Sequence, residues 1–360
     1  MKLSIAMCTY NGAAYLGEQL ESLASQTRLP DELVVCNDNS NDGRTREILK
    51  AFARQASFKV RLFVNKQNLG SKQSFARAIR RCRGEIIFLC DQDDVWRGDK
   101  LALIERAFIS SPQAGLVFSN GEVVDENLTR LGSLWTNFGA ERQTDIEEER
   151  IFRGLLRGNL ITGATLAFRS RLRRFVLPIP SDTILQHDAW IGLIIAAIAP
   201  VIFLKEPLIK YRQHPGQQIG VSIAGTRYEL RESPLISSVT EHRYPIGEIH
   251  AFKTVYARLI TKCSGLVGTE ELEEIKRWIG RLENERAVLN NEAASPAERK
   301  TWEEMTEFLT LRTIKIEPYI RDDLSRLRYR LRPGDIKAVW KQIKSDRERG
   351  LFEANRAIED

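Results

Sequence analysis

The first 120 residues alternate short apolar segments with longer segments whose apolar side chains recur every three or four positions. The strand-like segments are Ser4–Cys8, Leu33–Cys36, Val60–Val64, Glu85–Cys90 and Leu116–Phe118. The helical patterns between them are carried by Leu16, Leu20 and Leu23, by Ile48, Leu49 and Phe52, by Phe75, Ala78, Ile79 and Cys82, and by Leu101, Ile104 and Phe108. Neighbouring parallel strands need a long crossover, which is usually a helix. The alternation therefore predicts an α/β fold, with a mostly parallel sheet covered by helices on both faces.

The rest of the chain is less regular. The longest apolar run, Trp190–Leu204, is too short to span a bilayer and contains Pro200. It predicts a buried helix, a break and a buried strand, and a final strand is expected near Leu208–Tyr211. From about Arg227 the pattern is helical and charged. We therefore expect one domain over residues 1–225, with halves of about 1–120 and 121–225, and a mainly helical region over 226–360.

Composition excludes several classes of protein. Hydrophobic residues make up 42% and charged residues 28% of the chain, which is typical of a globular protein and not of a disordered one. The net charge of +6 permits a basic patch for phosphates or anionic lipid without requiring nucleic acid, so no nucleic-acid partner is expected. No signal peptide is recognisable. The five cysteines form no CxxC pair and are expected to fill the core in a reducing cytoplasm.

Polar residues follow four of the predicted strands. They are Thr9, Tyr10 and Asn11, then Asn37, Asp38, Asn39 and Ser40, then Asn68 and Gly70, and finally Asp91, Gln92, Asp93 and Asp94. In open α/β sheets, ligands bind just beyond the carboxyl ends of the strands. Four polar exits at one edge of the sheet therefore favour a site for a polar ligand.

The Asp91–Asp94 segment carries three carboxylates in four residues. They repel one another unless a cation neutralises them, and Mg²⁺ and Mn²⁺ prefer such oxygen ligands together with substrate phosphates. A calcium loop is excluded because its sixth position is Trp96 and its twelfth is Ala102, where Gly and Glu are needed. In the alternative interpretation, Asp94 caps a helix that starts near Gly98 and the other carboxylates are solvated, which explains one of the three.

Two further groups of polar residues stand out. His187 and Asp188 begin a helical pattern that continues into Trp190, and Asp188 as a helix N-cap is the alternative to a functional role. Arg212 and His214 follow the last predicted strand. A single histidine is more often structural than functional, so neither group is decisive in isolation.

Taken in order, these segments resemble family 2 glycosyltransferases. The resemblance rests on Ser4–Asn11, Asp38–Asp42, Asn68–Gly70, Asp91–Trp96, His187–Trp190 and Tyr211–His214, and it covers about residues 2–220. It is nearest to the bacterial rhamnosyltransferase-type members, which build cell-surface polysaccharides. It implies a GT-A type, Rossmann-like fold with a nucleotide-binding half and an acceptor half. It also implies a nucleotide-diphosphate sugar donor, Mn²⁺ or Mg²⁺, and inversion at the anomeric carbon.

The resemblance also assigns roles to individual residues. The general base is Asp188, and the metal ligands are Asp93 and His214. The residues expected to bind the nucleotide sugar are Thr9, Tyr10, Asn11, Asp38, Asn68, Gly70, Asp91, Gln92 and Arg212. Those expected near the acceptor are Trp96, Gly163, His187 and Trp190, and orientation of Asp188 is a second interpretation of His187. One departure is Asn37, where many members have a second Asp. The Gln-x-x-Arg-Trp motif of processive members is absent, which favours addition of a single sugar.

Several of these interpretations have alternatives. For Arg212, a structural ion pair competes with diphosphate binding, and for Trp96, packing competes with stacking on the acceptor sugar. The basic segment Arg321–Arg349 predicts either binding to an anionic membrane, which would suit a lipid-linked oligosaccharide acceptor and a location on the inner face of the cell membrane, or a solvated helix face.

Three other functions are less consistent with the sequence. A sugar nucleotidylyltransferase is disfavoured because no glycine-rich Arg/Lys phosphate loop follows the first strand. A degenerate scaffold or carbohydrate-binding protein is disfavoured by the retained carboxylates. Nucleic-acid binding through the basic tail is disfavoured by the small charge excess. A metal-dependent glycosyltransferase that acts on a glycan or lipid-linked acceptor is the function that the sequence predicts.

Overall fold

The computed structural model describes residues 1–138, 140–147, 150–215, 217 and 246–291. By its contacts the chain forms two compact units, one comprising residues 1–230 and 254–275 and the other residues 231–253 and 276–360. The sheet lies wholly in the first unit. The basic segment Arg321–Arg349 lies outside the described residues, so its predicted membrane role stays a prediction.

Nine strands form one sheet in the order β3-β2-β1-β4-β8-β6-β9-β5, with β7 paired to β6. The strands are β1 (Leu3–Thr9), β2 (Glu32–Asn37), β3 (Lys59–Val64), β4 (Ile86–Cys90), β5 (Val95–Trp96), β6 (Leu116–Val124), β7 (Arg130–Ser133), β8 (Leu166–Arg169) and β9 (Val201–Arg212). The five strands predicted in the first 120 residues are present, and β6 extends six residues beyond its predicted end. The strand predicted after the break in the Trp190–Leu204 run and the strand predicted near Leu208–Tyr211 form the single strand β9, whose first residues are only partly buried. The break after the helix in the Trp190–Leu204 run is also present.

The direction of pairing changes across the sheet. Strands β3, β2, β1 and β4 pair in parallel, as the alternating pattern predicts. Strand β8 then pairs antiparallel with both β4 and β6, while β6 pairs in parallel with β9. The α/β class is confirmed, but all-parallel pairing is confined to the half of the sheet formed by β3, β2, β1 and β4. The second half is mixed, because β8 lies between β4 and β6 and runs antiparallel to both.

Ten helices are described. They are α1 (Leu16–Ala24), α2 (Arg44–Gln55), α3 (Gly70–Arg81), α4 (Lys100–Ser110), α5 (Ala140–Glu147), α6 (Ile151–Arg157), α7 (Arg173–Val176), α8 (His187–Ala196), α9 (Ile246–Lys262) and α10 (Thr269–Asn291). None of the helices in these described ranges is both long and apolar enough to cross a membrane.

Helices cover both faces of the sheet, as predicted. Alternate residues of β1, β2 and β4 pack with α1, α2 and α4 in one continuous apolar core. The intervening residues of the strands face α3, which contacts β1 and β2 and also packs against α8. Because successive side chains of a strand point to opposite faces, these strands are buried on both sides and read as unbroken apolar runs. Four of the five cysteines are buried and all five are free, which confirms their prediction as core residues.

Helix α8 and the start of the C-terminal helical region share one anchor. Trp190 is fully buried and its indole N–H donates to the carbonyl of Val176 at 2.8 Å. The guanidinium of Arg258 lies 5.0 Å from the centre of the Trp190 ring and donates to the carbonyls of Phe175 and Leu177. Residues 254–275 therefore complete the first unit by satisfying backbone groups beside α8.

A buried carboxylate at the amino end of the sheet joins three strands. Glu32 on β2 accepts hydrogen bonds from the hydroxyl of Ser4 at 2.7 Å, from Arg61 at 2.9 Å and from the amide of Arg83. Burial alone would raise the pKa of Glu32, but these hydrogen bonds outweigh it and lower the pKa below its ordinary value. The folded state is therefore stabilised by the ionised form of this side chain.

We expect Glu32→Gln to lower the free energy of unfolding by about 1–3 kcal/mol at pH 7, since it weakens hydrogen bonds to a buried charge. The contribution of the charge is complete above the unfolded pKa, about 4.3, and is lost as the pH falls through the lower folded pKa. The difference in free energy of unfolding between wild type and Glu32→Gln, measured by urea unfolding, should thus be smaller near pH 3 than at pH 7. Glu21→Gln, at an exposed position on α1, is the matched control and should change little at either pH.

Candidate active site

The exits of β1 and β2 are bonded to each other. The side-chain amide of Asn37 donates to the hydroxyls of Thr9 at 3.1 Å and Ser40 at 2.8 Å. The side chains of Asn11 and Asn41 bridge the same two loops. Both donations come from the amide nitrogen of Asn37, and a carboxylate in its place would have no proton to donate. The departure at position 37 thus has a structural use here.

The exit of β3 is organised around Asp38, whose carboxylate is buried. One oxygen accepts from the side chain of Asn65 at 2.6 Å and the amide of Leu69 at 2.8 Å, and the other accepts from the amide of Gly70 at 2.8 Å. These bonds satisfy free N–H groups at the start of α3, where a negative charge is favourable. Gly70 has a φ of +78°, which favours glycine. Asn68 is exposed beside this carboxylate, and its side-chain oxygen also accepts a hydrogen bond from the amide of Gly70.

The exit of β4 is tied back to the exit of β1 by Gln92. Its amide nitrogen donates to the carbonyl of Tyr10 at 3.0 Å, and its oxygen accepts from the Tyr10 amide at 2.8 Å. Both ends of the Gln92 amide are therefore engaged with backbone. The predicted contact of Gln92 with a nucleotide sugar is replaced by a role in holding Tyr10 beside the aspartate cluster.

The aspartates after β4 lie in different environments. Asp94 is fully buried and accepts the amide of Arg212 at 3.0 Å. Asp91 and Asp93 are half-buried. Burial raises the pKa of Asp91 to about 8, and the charges of Asp93 and Asp188 add to the rise. Asp91, Asp93 and Asp188 thus belong to one electrostatic site, and adding a positive charge there would be favourable.

Strand β9 ends against this cluster. The Nε of Arg212 donates to the carbonyl of Asp93 at 2.7 Å, and its Nη atoms donate to the carbonyl of Glu126 and the carboxylate of Glu18. Two residues on, Nε2 of His214 lies 3.0 Å from Oδ2 of Asp93. The His214 ring also lies 4.6 Å from the ring of Tyr15, centre to centre. The structure therefore brings together the two predicted metal ligands, Asp93 and His214.

Asp188 lies in the first turn of α8, where its carboxylate is held by two backbone amides. The amide of Gly163 donates to Oδ2 at 3.0 Å, and the amide of Ala189 donates to Oδ1 at 2.7 Å. Gln186, not Asp188, occupies the N-cap position. The carboxylate is fixed in direction and half-exposed, which is what a general base requires.

Four predictions about individual side chains need correction. Trp96 is 3% exposed and Trp190 0%, so both rings lie in the core and do not reach an acceptor. Arg212 is 1% exposed and bonded as described above, so the structural ion pair, and not a diphosphate, accounts for it. The N-cap alternative for Asp94 is also wrong, because α4 begins at Lys100 with Asp99 as its N-cap. In each case burial in the tertiary structure overrides what the local motif indicates.

Two residues at this site were missed from the sequence. Lys100 is fully buried, with its ammonium 3.8 Å from the centre of the Trp96 ring and bonded to the carbonyl of Ala164. Burial lowers the pKa of Lys100 to about 7, against the nearby charges of Asp94 and Asp91. Burial also raises the pKa of the Tyr211 phenol, and the surrounding aspartates add to that rise. A helical lysine carries no sequence signal that distinguishes it from a surface residue, and Tyr211, although it lies in the Tyr211–His214 segment, was assigned no role of its own.

Within the described residues, no group of three or more His, Cys, Asp or Glu side chains converges as a ready metal site. Asp93 and His214 form a pair, with Asp91 in the same electrostatic site. Magnesium and manganese commonly take one or two protein carboxylates and complete their shell with substrate phosphates and water. The pair is therefore compatible with a cation that binds together with a diphosphate.

Comparison with known proteins decides the family. The model of glycosyl transferase family 2 matches residues 4–171, which include β1 to β4 and the aspartate cluster. This chain carries a family 2 glycosyltransferase domain. An uncharacterized glycosyltransferase of Nostoc is 28% identical over 215 residues, which is 59% of this chain and 65% of that protein. The chain thus spans less than two thirds of that relative, and of a Rickettsia felis glycosyltransferase it spans 35%.

A third relative carries a more detailed name. The UDP-Glc:alpha-D-GlcNAc-diphosphoundecaprenol beta-1,3-glucosyltransferase of Escherichia coli is 25% identical over 125 residues, covering 35% of this chain and 47% of that enzyme. Among solved structures, S. aureus TarS (residues 1–349, with UDP-GlcNAc) superposes with a TM-score of 0.55. It shares 18% sequence identity and covers 79% of this chain and 72% of its own. This likeness confirms the GT-A fold of the glycosyltransferase domain.

We expect Arg212→Met to lower the free energy of unfolding by at least about 2 kcal/mol, because it removes donors from two carbonyls and a carboxylate. Glu18→Gln removes one partner of the same ion pair at a side chain that is 56% exposed, so it should cost less than about 1 kcal/mol. Urea unfolding measures both. Arg130→Met, at an ion-paired side chain that is 72% exposed, is the control. If the free energy of unfolding fell by the same small amount in all three variants, Arg212 would not be what holds the β4 exit to β9.

Proposed function

We propose that this chain transfers a sugar from a nucleotide-diphosphate sugar to an acceptor hydroxyl with inversion, one sugar at a time. The observation that carries the proposal is the fixed carboxylate of Asp188, held by the Gly163 amide in the same electrostatic site as Asp91 and Asp93. Family membership supports a nucleotide-sugar donor, and the single addition rests on the missing Gln-x-x-Arg-Trp motif.

The donor side of the site is the carboxyl edge formed by the exits of β1 to β4. Tyr10, Asn11 and Asn68 are partly or fully exposed there, so they can meet a nucleotide. Thr9 is 2% exposed and Asp38 4%, so both act mainly by holding the loops. A carboxylate has about four lone-pair positions, and the three hydrogen bonds to Asp38 leave room for one more donor, such as a pyrimidine N–H.

Asp93 and His214 would hold a divalent cation, Mn²⁺ or Mg²⁺, with Asp91 beside them. When bound there, such an ion supplies electrostatic stabilisation of the charge on the leaving diphosphate. The protein's own part is to keep the carboxylate of Asp93 facing His214, which it does by anchoring the Asp93 carbonyl on Arg212.

In this proposal Asp188 accepts the proton of the acceptor hydroxyl as that oxygen attacks the anomeric carbon. The proton moves to the carboxylate, the new glycosidic bond forms, and the nucleoside diphosphate leaves with the electron pair of the old bond. General-base help of this kind contributes about 10²–10⁴-fold in rate. The name of the E. coli relative specifies a lipid-diphosphate sugar acceptor, and we propose a glycan or lipid-linked oligosaccharide acceptor here, in cell-surface polysaccharide synthesis on the cytoplasmic side. The resemblance to rhamnosyltransferase-type members stays a prediction and does not name the donor sugar.

We expect Asp188→Asn to lower turnover by about 10²–10⁴-fold while nucleotide binding is unchanged, because Asn keeps the shape but is no base. The measurement is release of nucleoside diphosphate from UDP-glucose, UDP-GlcNAc, GDP-mannose and dTDP-rhamnose, followed by calorimetry with the matching nucleoside diphosphate. Asp99→Asn is the matched control, since Asp99 is 44% exposed and paired with Arg97. Near-normal turnover in Asp188→Asn would remove the assigned base, and no release by the wild-type protein from any donor would favour a degenerate carbohydrate-binding protein.

We expect Asp93→Asn to weaken the binding of UDP or GDP by at least about tenfold when Mn²⁺ is present and to change it little in EDTA. His214→Gln should act in the same direction. The anchor of the loop survives in both variants, because Arg212 binds the backbone carbonyl of Asp93. Calorimetry with and without Mn²⁺ separates the outcomes, and equal affinities for wild type and Asp93→Asn in manganese would contradict the metal assignment.

A further inference from the structure

The turn Gly163–Thr165 is held from two sides. The ammonium of Lys100 bonds to the carbonyl of Ala164 in its middle. On the other side, Nε2 of His187 packs so closely on Gly163 that a Cβ added there would lie 2.9 Å from that nitrogen and 3.6 Å from Cβ of Asp188. The backbone of Gly163 does not have a positive φ. Glycine is therefore required at 163 by lack of space and not by backbone conformation.

His187 itself has an unusual environment. Its side chain is buried, and neither ring nitrogen bonds to a protein group in the described part of the chain. Its ring stacks on Phe75 of α3, with centres 4.0 Å apart and planes inclined by 16°. A ring that makes no hydrogen bonds but is stacked on one face and abuts a glycine contributes through its shape.

The charge state of His187 is consistent with this. Burial lowers the pKa of the imidazole below its ordinary value, and Asp188 only partly opposes the shift. Burial thus favours the neutral imidazole, as expected of a ring that acts through its shape.

We propose that His187 is a positioning residue that wedges Gly163 against Asp188 and so keeps the Gly163 amide on the carboxylate. This inference rests on the proposed function, in which Asp188 is the base. Phe75 backs the ring, the ring fixes Gly163, and the Gly163 amide fixes Oδ2. Of the two interpretations of His187 from the sequence, His187 then affects transfer through the direction of Asp188 and not through contact with the acceptor.

The proposal predicts a specific coupling between two substitutions. Gly163→Ala places a methyl group against the His187 ring, so it should push the turn away from Asp188 and lower kcat by roughly ten- to a hundredfold, because small misplacements of reacting groups have effects of this size. His187→Ala should lower kcat to a similar extent by releasing the turn. In the double variant the methyl group meets no ring, so Gly163→Ala should have less than about a twofold further effect, which is the non-additivity expected of residues in contact.

The experiment compares wild type, both single variants and the double variant, with the most active of UDP-glucose, UDP-GlcNAc, GDP-mannose and dTDP-rhamnose as donor. We expect kcat, expressed per folded protein as measured by circular dichroism, to fall while KM for the donor stays within about threefold. The Tm values of the same four proteins give a readout independent of activity. Gly163→Ala should lower Tm in the wild-type background but not in the His187→Ala background. Gly17→Ala is the control, because a Cβ there meets nothing within 4 Å.

Losses that multiply in the double variant, or a His187→Ala protein with full kcat, would overturn the proposal. The proposed function fails in a different way. If Asp188 is not the base, Asp188→Asn keeps its turnover, and the coupling between positions 163 and 187 appears in Tm without a fall in kcat.

Discussion

Mutual repulsion between carboxylates is the constraint on which this site depends. Asp91, Asp93 and Asp94 leave one strand end, and Asp188 approaches from α8, so their charges act on one another. The fold separates their environments instead of leaving them equivalent. Asp94 is buried against the amide of Arg212, while Asp93 and Asp188 remain half-exposed. The site thus combines concentrated negative charge with backbone amides and one histidine. Such a site is suited to a ligand that binds together with a cation.

Helix α3 links the two halves of the site. Its first amides bind Asp38 at the proposed donor edge, and five residues further on Phe75 stacks on His187 beside Asp188. Lys72 of the same helix donates to the carbonyl of Thr183 at 2.7 Å, just before α8. One short helix therefore contacts both the loops that would receive the donor and the segment that leads into the helix carrying Asp188.

Sequence reasoning succeeded where local pattern decides structure. The strands β1, β2 and β4 are buried on both faces, the helices between the strands have regular periods, and the polar exits had to meet at one edge. It failed where the partner is distant in the chain. Nothing around position 168 indicates that β8 runs antiparallel between β4 and β6, and this placement is what carries Gly163 to Asp188. Lys100 was missed for the same reason, since its burial depends on a carbonyl 64 residues away.

A polar residue in a motif can serve the ligand or the loop, and position in the motif does not say which. Gln92, Asn37 and Arg212 all lie in segments that point to a nucleotide-sugar site, yet each is bonded to backbone or buried side chains. The distinction follows from hydrogen-bond capacity. A side chain whose donors and acceptors are all satisfied by the protein gains little by turning to a substrate, and breaking those bonds would leave buried groups unpaired. The residues that keep exposed oxygen or nitrogen atoms are the ones available to bind a substrate and react. Asp93, His214 and Asp188 are the main examples here.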